Sequence, residues 1–315
     1  MRRARTDIHQ HLWPEEFIAA LAKRETPPMI RRCGGEWVLR LVGEPEYPFS
    51  PEWHDPGRRL ARAEAAGIDR VVISISSPLG IEWLPGDEAA ELLGAYNEGV
   101  RALGAGFSSW GAISVLDGDC RAVDRLLDEG HSGITLPAES ISTVAGFDQL
   151  RSALEELERR SAPLFVHPGP VYAGDRLGPD GGDPAWWPAL TGYVSQMNRA
   201  WHSFVAIGRE RHPSLRVVFA MLAGGAPIHG ERLVSRGGPA VGSEANFFYD
   251  TSSYGARGID AAIRAVGIDQ LVYGTDAPVV VGEPPLDLGP AAFEAIAASN
   301  PERLFSGRIR RAVLA

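Results

Sequence analysis

The chain reads as a single (β/α)8 TIM barrel, an α/β fold with an insertion after its first strand. Three observations predict this. Short β-branched runs alternate with amphipathic stretches, and eight strand–helix units can be counted along the sequence. The length of 315 residues suits one large barrel. The side chains best able to bind a metal all fall at the C-terminal ends of predicted strands, the rim on which such barrels build their sites. A doubly wound open sheet is the competing architecture; the count of eight and the shared rim favour the barrel.

The first strand covers residues 4–9. Residues 12–56 form an irregular insertion, within which 37–42 suggests a small hairpin. Residues 58–66 are helical and end at Gly67. Strand two (70–76) is followed by a helix over 87–103, strand three (107–114) by 119–129, and strand four (133–136) by 147–160. Strand five (163–167) leads into a Gly/Pro/Asp-rich loop over 168–189, long enough to act as a lid. A long helix over 190–211 follows. Strand six (215–221) precedes a helix near 228–236, strand seven (247–250) precedes 258–266, and strand eight (270–274) precedes 290–298. No repeat, low-complexity tract or second domain is visible, so 1–315 is read as one domain.

Composition narrows the function. A hydrophobic content of 44% supports a sizeable core. The net charge of −9 disfavours nucleic acid or an anionic membrane as the main partner and leaves a small-molecule substrate. No apolar run is long enough to span a bilayer, and the basic start, residues 1–5, has no apolar segment behind it. A cytoplasmic setting is expected, with Cys33 and Cys120 as reduced thiols. Lys23 is the only lysine, on an early charged stretch, which argues against Schiff-base or P-loop chemistry. The Arg-, Ala- and Gly-rich usage suggests a GC-rich bacterial genome.

The chemistry concentrates in Asp7-Ile8-His9-Gln10-His11. Residues two apart on a strand point the same way, so His9 and His11 converge. His167 ends strand five and Asp276 follows strand eight, on the same rim. Three imidazoles and a carboxylate suit one divalent metal, with Zn²⁺ the first choice and Fe²⁺, Mn²⁺ or Co²⁺ as alternatives. Asp276 can both bind the metal and move a proton. Asp7 either orients an imidazole or caps the barrel interior.

These segments, together with His167-Pro168, Leu222-Ala223-Gly224-Gly225-Ala226-Pro227, Tyr273-Gly274-Thr275-Asp276-Ala277-Pro278 and Asn300-Pro301-Glu302-Arg303-Leu304-Phe305, resemble the amidohydrolase superfamily. The resemblance is to the amidohydrolase-related branch that includes aminocarboxymuconate-semialdehyde decarboxylase, and it covers about residues 5–306. It implies a distorted eight-fold barrel, a metal held by His9, His11, His167 and Asp276, and either hydrolysis of C–N or ester bonds or non-oxidative decarboxylation. A homodimer is expected on the resemblance alone. Two departures stand out. Some members bridge two metals with a carboxylated strand-four lysine; none is available here, so one metal is expected. The branch carries a histidine at the end of strand six, where this chain has Met221, an apolar side chain that cannot transfer protons.

The first expectation is therefore a mononuclear hydrolase of the amidohydrolase type, using metal-bound water on a C–N or ester/lactone bond with Asp276 as proton carrier. The second is a decarboxylase on the same site, and the third a metal-binding pseudoenzyme. His229, near the rim after strand six, is the candidate replacement base. His202 is expected to pack; His54, His131 and His212 are expected at the surface. Trp186 and Trp187 either bind a planar substrate or pack on themselves or another subunit. Tyr249 and Asp250, ending strand seven, are placed for substrate contact.

Overall fold

Strand β1 (Thr6–Gln10) is buried along its whole length. Three antiparallel strands follow in the insertion, β2 (Met29–Cys33), β3 (Glu36–Arg40) and β4 (Tyr47–Phe49). Then come β5 (Arg70–Ile73), β6 (Phe107–Ala112), β7 (Gly133–Pro137), β8 (Leu164–His167), β9 (Val217–Phe219), β10 (Phe247–Asp250) and β11 (Leu271–Val272). In this computed structural model, which describes residues 3–171, 177, 183–241, 245–280 and 286–306, β1 and β5–β11 form one eight-stranded parallel sheet in chain order. Backbone bonds join its last edge to its first. The Ile8 N–H donates to Tyr273 O at 2.9 Å, the His11 N–H to Ala277 O at 2.7 Å, and the Asp276 N–H to His9 O at 2.8 Å. The predicted barrel is present. No helix of the described residues is long and apolar enough to cross a membrane.

Amphipathic helices cover the outside. Helix Gly86–Ala102 buries Leu92, Tyr96 and Val100, and Cys120–Asp128 buries Val123, Leu126 and Leu127. Side-chain caps fix the starts of two helices, Pro56–Ala65 and Cys120–Asp128: Asp55 accepts from the Arg58 N–H at 2.6 Å, and Asp119 from the Arg121 N–H at 2.9 Å. The barrel interior is filled from alternate strands. Trp110 on β6 stacks on Phe165 of β8 at 5.1 Å and donates its indole N–H to Ile8 O on β1 at 2.8 Å. Phe165 lies edge-on to His9 at 4.9 Å, so these two aromatics form the floor beneath the rim histidines.

Asp7 ties β1 to the segment after β11. Its carboxylate accepts from Thr275 Oγ1 and Gln10 Nε2, each at 2.6 Å, and from the backbone N–H of His9 and Thr275 at 3.1 and 3.2 Å. Asp7 therefore touches no imidazole nitrogen, and of its two expected roles the interior one holds.

Several elements differ from expectation for local reasons. The insertion hairpin spans 29–40 rather than 37–42, and its turn is Gly34-Gly35, both with positive φ (60° and 93°), as a two-residue hairpin turn requires. The helix expected over 147–160 is two helices, Val144–Gln149 and Arg151–Arg159, meeting at Leu150. The helix expected over 190–211 begins as Gly192–Ser203 and continues through a π-helical turn, Phe204–Gly208. Strand six stops at Phe219, before Met221, because Met221, Leu222, Ala223, Gly224 and Gly225 all take left-handed φ (53°, 50°, 55°, 61° and 78°). Such a run is costly for residues with a Cβ and is tolerated where the surroundings over-determine it.

Glu82, in the short turn Ile81–Trp83 after β5, is fully buried; its Oε1 accepts from Ser77 Oγ at 2.5 Å and its Oε2 has no partner. Burial pushes its carboxyl up to about 7 from 4.5. The folded state then binds more protons than the unfolded one between those values, so this group costs stability as pH rises through them. Glu82→Gln is expected to stabilise the protein at pH 8 by on the order of 2–3 kcal/mol and to have little effect at pH 4, read from urea midpoints. Equal effects at both pH values would contradict this.

Candidate metal centre

The C-terminal end of β1, the end of β8 and the segment after β11 meet at one point of the rim. His9, His11, His167 and Asp276 each offer one ligand atom there, all within 4.8 Å of one another. The His9 and His11 Nε2 atoms are 3.2 Å apart, and Asp276 Oδ1 lies 2.9 Å from His11 Nε2 and 3.5 Å from His9 Nε2. All three imidazole pairs have centroids 5.0 Å apart and are nearly perpendicular, at 88–89°. The three rings thus converge rather than stack.

The outer ring nitrogens explain the orientation. His9 Nδ1 faces Asp250 Oδ2 at 2.6 Å, His11 Nδ1 faces Ser74 O at 2.9 Å, and His167 Nδ1 faces Pro168 O at 2.8 Å. Every one of these partners is an acceptor, so each Nδ1 carries the proton and the opposite nitrogen turns a lone pair inward. Burial, then the neighbouring His9 and His11 rings, hold His167 well below the ordinary imidazole range. For His9 burial acts downward, but Asp250 and Asp276 outweigh it and raise the ring. Lone pairs facing one another at this distance repel unless a cation lies among them. The donor set therefore fits a divalent metal.

Asp250 is fully buried, and its Oδ1 accepts from the Met221 N–H at 2.8 Å, the Ser252 N–H at 3.0 Å and Ser252 Oγ at 2.6 Å. It holds His9 rather than a substrate. Tyr249, the other residue expected at the substrate, turns away and accepts the Trp201 indole N–H at 3.0 Å; neighbours on a strand face opposite sides. Arg59 was not visible in the sequence as a functional residue. Its guanidinium is buried and donates to Gln10 Oε1 at 2.9 Å and to the carbonyls of His11, Ala277 and Trp53 at 3.2, 2.9 and 2.7 Å. One cation so clamps the end of β1, the segment after Asp276 and the insertion.

Above the donors lies a cavity of about 450 Å³, within the small-molecule range. His11, His167, Asp276 and Met221 line its base, while the insertion supplies much of its wall through Leu39, Leu41, Phe49 and Trp53. The insertion is thus the roof of the site. His54, expected at the surface, lines this cavity instead and stacks on Trp13 at 4.9 Å. Its Nδ1 accepts the Trp13 N–H at 3.1 Å, and burial with Arg59 nearby pushes its pKa down to about 3. It is a neutral ring with its proton on Nε2.

His229, the expected replacement base, is exposed on the turn Ala226–His229 and does not line the cavity, because the left-handed run carries the chain away from the rim. His131 and His212 are buried rather than exposed: the first bonds Ser109 Oγ at 2.9 Å, and the second lies 3.4 Å from Glu158. His202 packs on Trp201 as expected, at 4.8 Å. Trp186 and Trp187 pack on each other at 5.7 Å, and neither lines the cavity. Of the expected lid loop, 172–176 and 178–182 lie outside the described residues.

No family model matches the chain. Among solved structures it is similar to the apo form of IDCase from Metarhizium anisopliae, at 20% identity over 96% of this chain and 97% of that one, with a TM-score of 0.79. It is also similar to 2,6-dihydroxybenzoate decarboxylase from Rhizobium (19% identity, 97% and 99% covered, TM-score 0.69). A third is 5-carboxyvanillate decarboxylase from Novosphingobium aromaticivorans, complexed with manganese and 4-hydroxy-3-methoxy-5-nitrobenzoic acid (16% identity, 96% and 96% covered, TM-score 0.70). The chain shares their fold. A further similar structure carries the description amidohydrolase II, at 20% identity and a TM-score of 0.71, so the barrel is the one the sequence resemblance implied.

Replacing His9 or His11 by Ala is expected to abolish stoichiometric Mn²⁺ binding in equilibrium dialysis. Asp250→Ala, which leaves all four donors in place but frees the His9 ring, is expected to weaken it by about 10- to 100-fold. Unchanged binding in all three variants would show that the ion sits elsewhere.

Proposed function

We propose that this chain is a metal-dependent decarboxylase of the amidohydrolase-related branch, acting on a small aromatic carboxylic acid. The observation that carries the reading is the buried cluster of His9, His11, His167 and Asp276 at the base of a largely apolar cavity. The sequence placed hydrolysis first and carboxy-lyase chemistry second; the decarboxylases among the similar structures support the reverse order. They also support Mn²⁺, an alternative in the sequence reading, over Zn²⁺. Barrel and insertion are taken as one domain, because the insertion completes the cavity.

His9, His11, His167 and Asp276 would hold the ion. Bound there, it would supply positive charge that fixes an acid's oxygen atoms. The protein groups account for the rest. Leu39, Leu41, Phe49 and Leu79 exclude water from a planar substrate. Asp276 lines the cavity, and its carboxylate relays a proton taken up from solvent to the ring carbon. The carbon–carbon bond to the carboxylate then breaks, carbon dioxide leaves, and the bonding electrons return to the ring. Met221 stands in the place of the branch's histidine and takes no part in proton transfer. His54 offers a neutral Nε2–H from the roof, a donor that holds an anionic oxygen of the substrate in place.

Mn²⁺-loaded protein is expected to release carbon dioxide from at least one member of a panel of hydroxybenzoic acids, and Asp276→Asn to abolish release. Release of none, with water-dependent opening of lactones or cyclic amides, would establish the hydrolase instead; inertness toward both panels would leave the pseudoenzyme. His54→Phe preserves the ring stack but removes the donor. It is expected to lower kcat by about 100-fold with Mn²⁺ stoichiometry unchanged.

A further inference from the structure

The cavity has a second polar end. Glu44, on the insertion between β3 and β4, meets Tyr193, on the helix Gly192–Ser203 after β8, in the chamber wall. The Tyr193 hydroxyl donates to Glu44 Oε1 at 2.7 Å, and the Tyr47 hydroxyl donates to Glu44 Oε2 at 2.9 Å. All three residues line the same cavity as His11, His167 and Asp276. Most of the remaining lining is apolar or aromatic, and none of the described lining residues is Lys or Arg.

Counting protons shows what this cluster can recognise. A carboxylate brings acceptors only, and each tyrosine brings one proton. Both protons are spent on Glu44, so what the cluster still offers a ligand is lone pairs. Burial, then Glu44, push the Tyr193 phenol well above its ordinary range, which keeps its proton in that bond. Tyr47 is shifted the same way, by burial and then by Glu44. Burial raises the Glu44 carboxyl above its ordinary range while the Tyr193 and Tyr47 hydroxyl bonds act to lower it; as a carboxylate it carries a negative charge that no cation in the described lining offsets. It therefore accepts an O–H or N–H and repels an anion. The metal end has the opposite preference, for an anionic oxygen.

We propose that Glu44, held by Tyr47 and Tyr193, is the specificity determinant of this site: it accepts a hydrogen bond from a ring hydroxyl or amino group remote from the metal and rejects a second carboxylate. The substrate class is then a monocarboxylic aromatic acid bearing one hydrogen-bond donor away from the group that is lost. This rests on the proposed metal-bound acid, but Glu44 contacts neither the metal donors nor the bond that breaks. A site built to bond a hydroxyl discriminates strongly against the analogue lacking it, because its polar groups are otherwise left unpaired. Placing an unpaired charge against the wrong ligand adds to that selectivity.

The test is binding rather than turnover. Mn²⁺-loaded protein is titrated calorimetrically with benzoate, 3- and 4-hydroxybenzoate, terephthalate and phenol. At least one hydroxybenzoate is expected to bind ~10-fold or more tightly than benzoate, and terephthalate more weakly than benzoate. Glu44→Gln keeps the size and removes the charge; it is expected to reduce the hydroxyl preference to within ~3-fold and to admit terephthalate. Tyr193→Phe, which retains the ring, is expected to fall between the two. Circular dichroism and Mn²⁺ stoichiometry establish that each variant is folded and loaded. If all the acids bind alike in wild type and Glu44→Gln, the specificity proposal fails and the metal-bound acid stands. If no acid binds but phenol binds in a Glu44-dependent way, the metal-bound acid fails and the cluster's role stands. If nothing binds, both fail.

Discussion

The seam between the first and last barrel strands is the constraint on which the site depends. The Asp276 N–H donates to His9 O at 2.8 Å and the His11 N–H to Ala277 O at 2.7 Å, so the bonds that join the two edges also place three of the four donors. Asp7 reinforces the seam from below through Thr275, and Arg59 from above through the carbonyls of His11 and Ala277. A seam shifted by one residue would turn the His9 and His11 side chains to the other face of the sheet. Ring closure and metal geometry are therefore one structural problem with one solution.

Buried charge follows from that arrangement. Burial raises the Asp7 carboxyl against the bonds from Gln10, Thr275 and the His9 N–H that favour its charge, and Asp7 in turn supports the charge of the buried Arg59. Among the described residues, the partners of Asp250 and Asp276 are imidazoles, a hydroxyl and backbone N–H groups. Two carboxylates among neutral rings leave a charge that one divalent cation balances. Desolvated charge is expensive unless paired. The same requirement explains why Asp250 bonds the outer nitrogen of His9: the carboxylate fixes the tautomer and adds to the ring's basicity.

The insertion turns an open barrel rim into a chamber. Its hairpin, reversed at Gly34-Gly35, carries Leu39 and Leu41 to the cavity wall, and the following segment brings Glu44, Tyr47, Phe49 and His54. At the far end the left-handed run from Met221 to Gly225 points an apolar side chain into the base and leads His229 outward. The backbone N–H of Met221 is bonded to Asp250, so this strained turn is fastened to the same carboxylate that orients His9.

Much of this was legible in the residues alone. Short β-branched runs marked the barrel strands, and the rim rule gathered His9, His11, His167 and Asp276, because strand ends are defined by local pattern and their positions are imposed by the fold class. The absence of any lysine on β7 and the presence of Met221 were equally plain. The tertiary structure alone decided which groups hold the imidazoles: Ser74 acts through its carbonyl, which every residue carries, and Asp250 reaches His9 across 241 positions. It also decided that His54 lines the cavity, that His229 does not, and that Glu44 meets Tyr193 across 149 residues. Contacts of that kind join an irregular loop to a distant helix, where no periodicity links the partners, and only the packed chain brings them within reach.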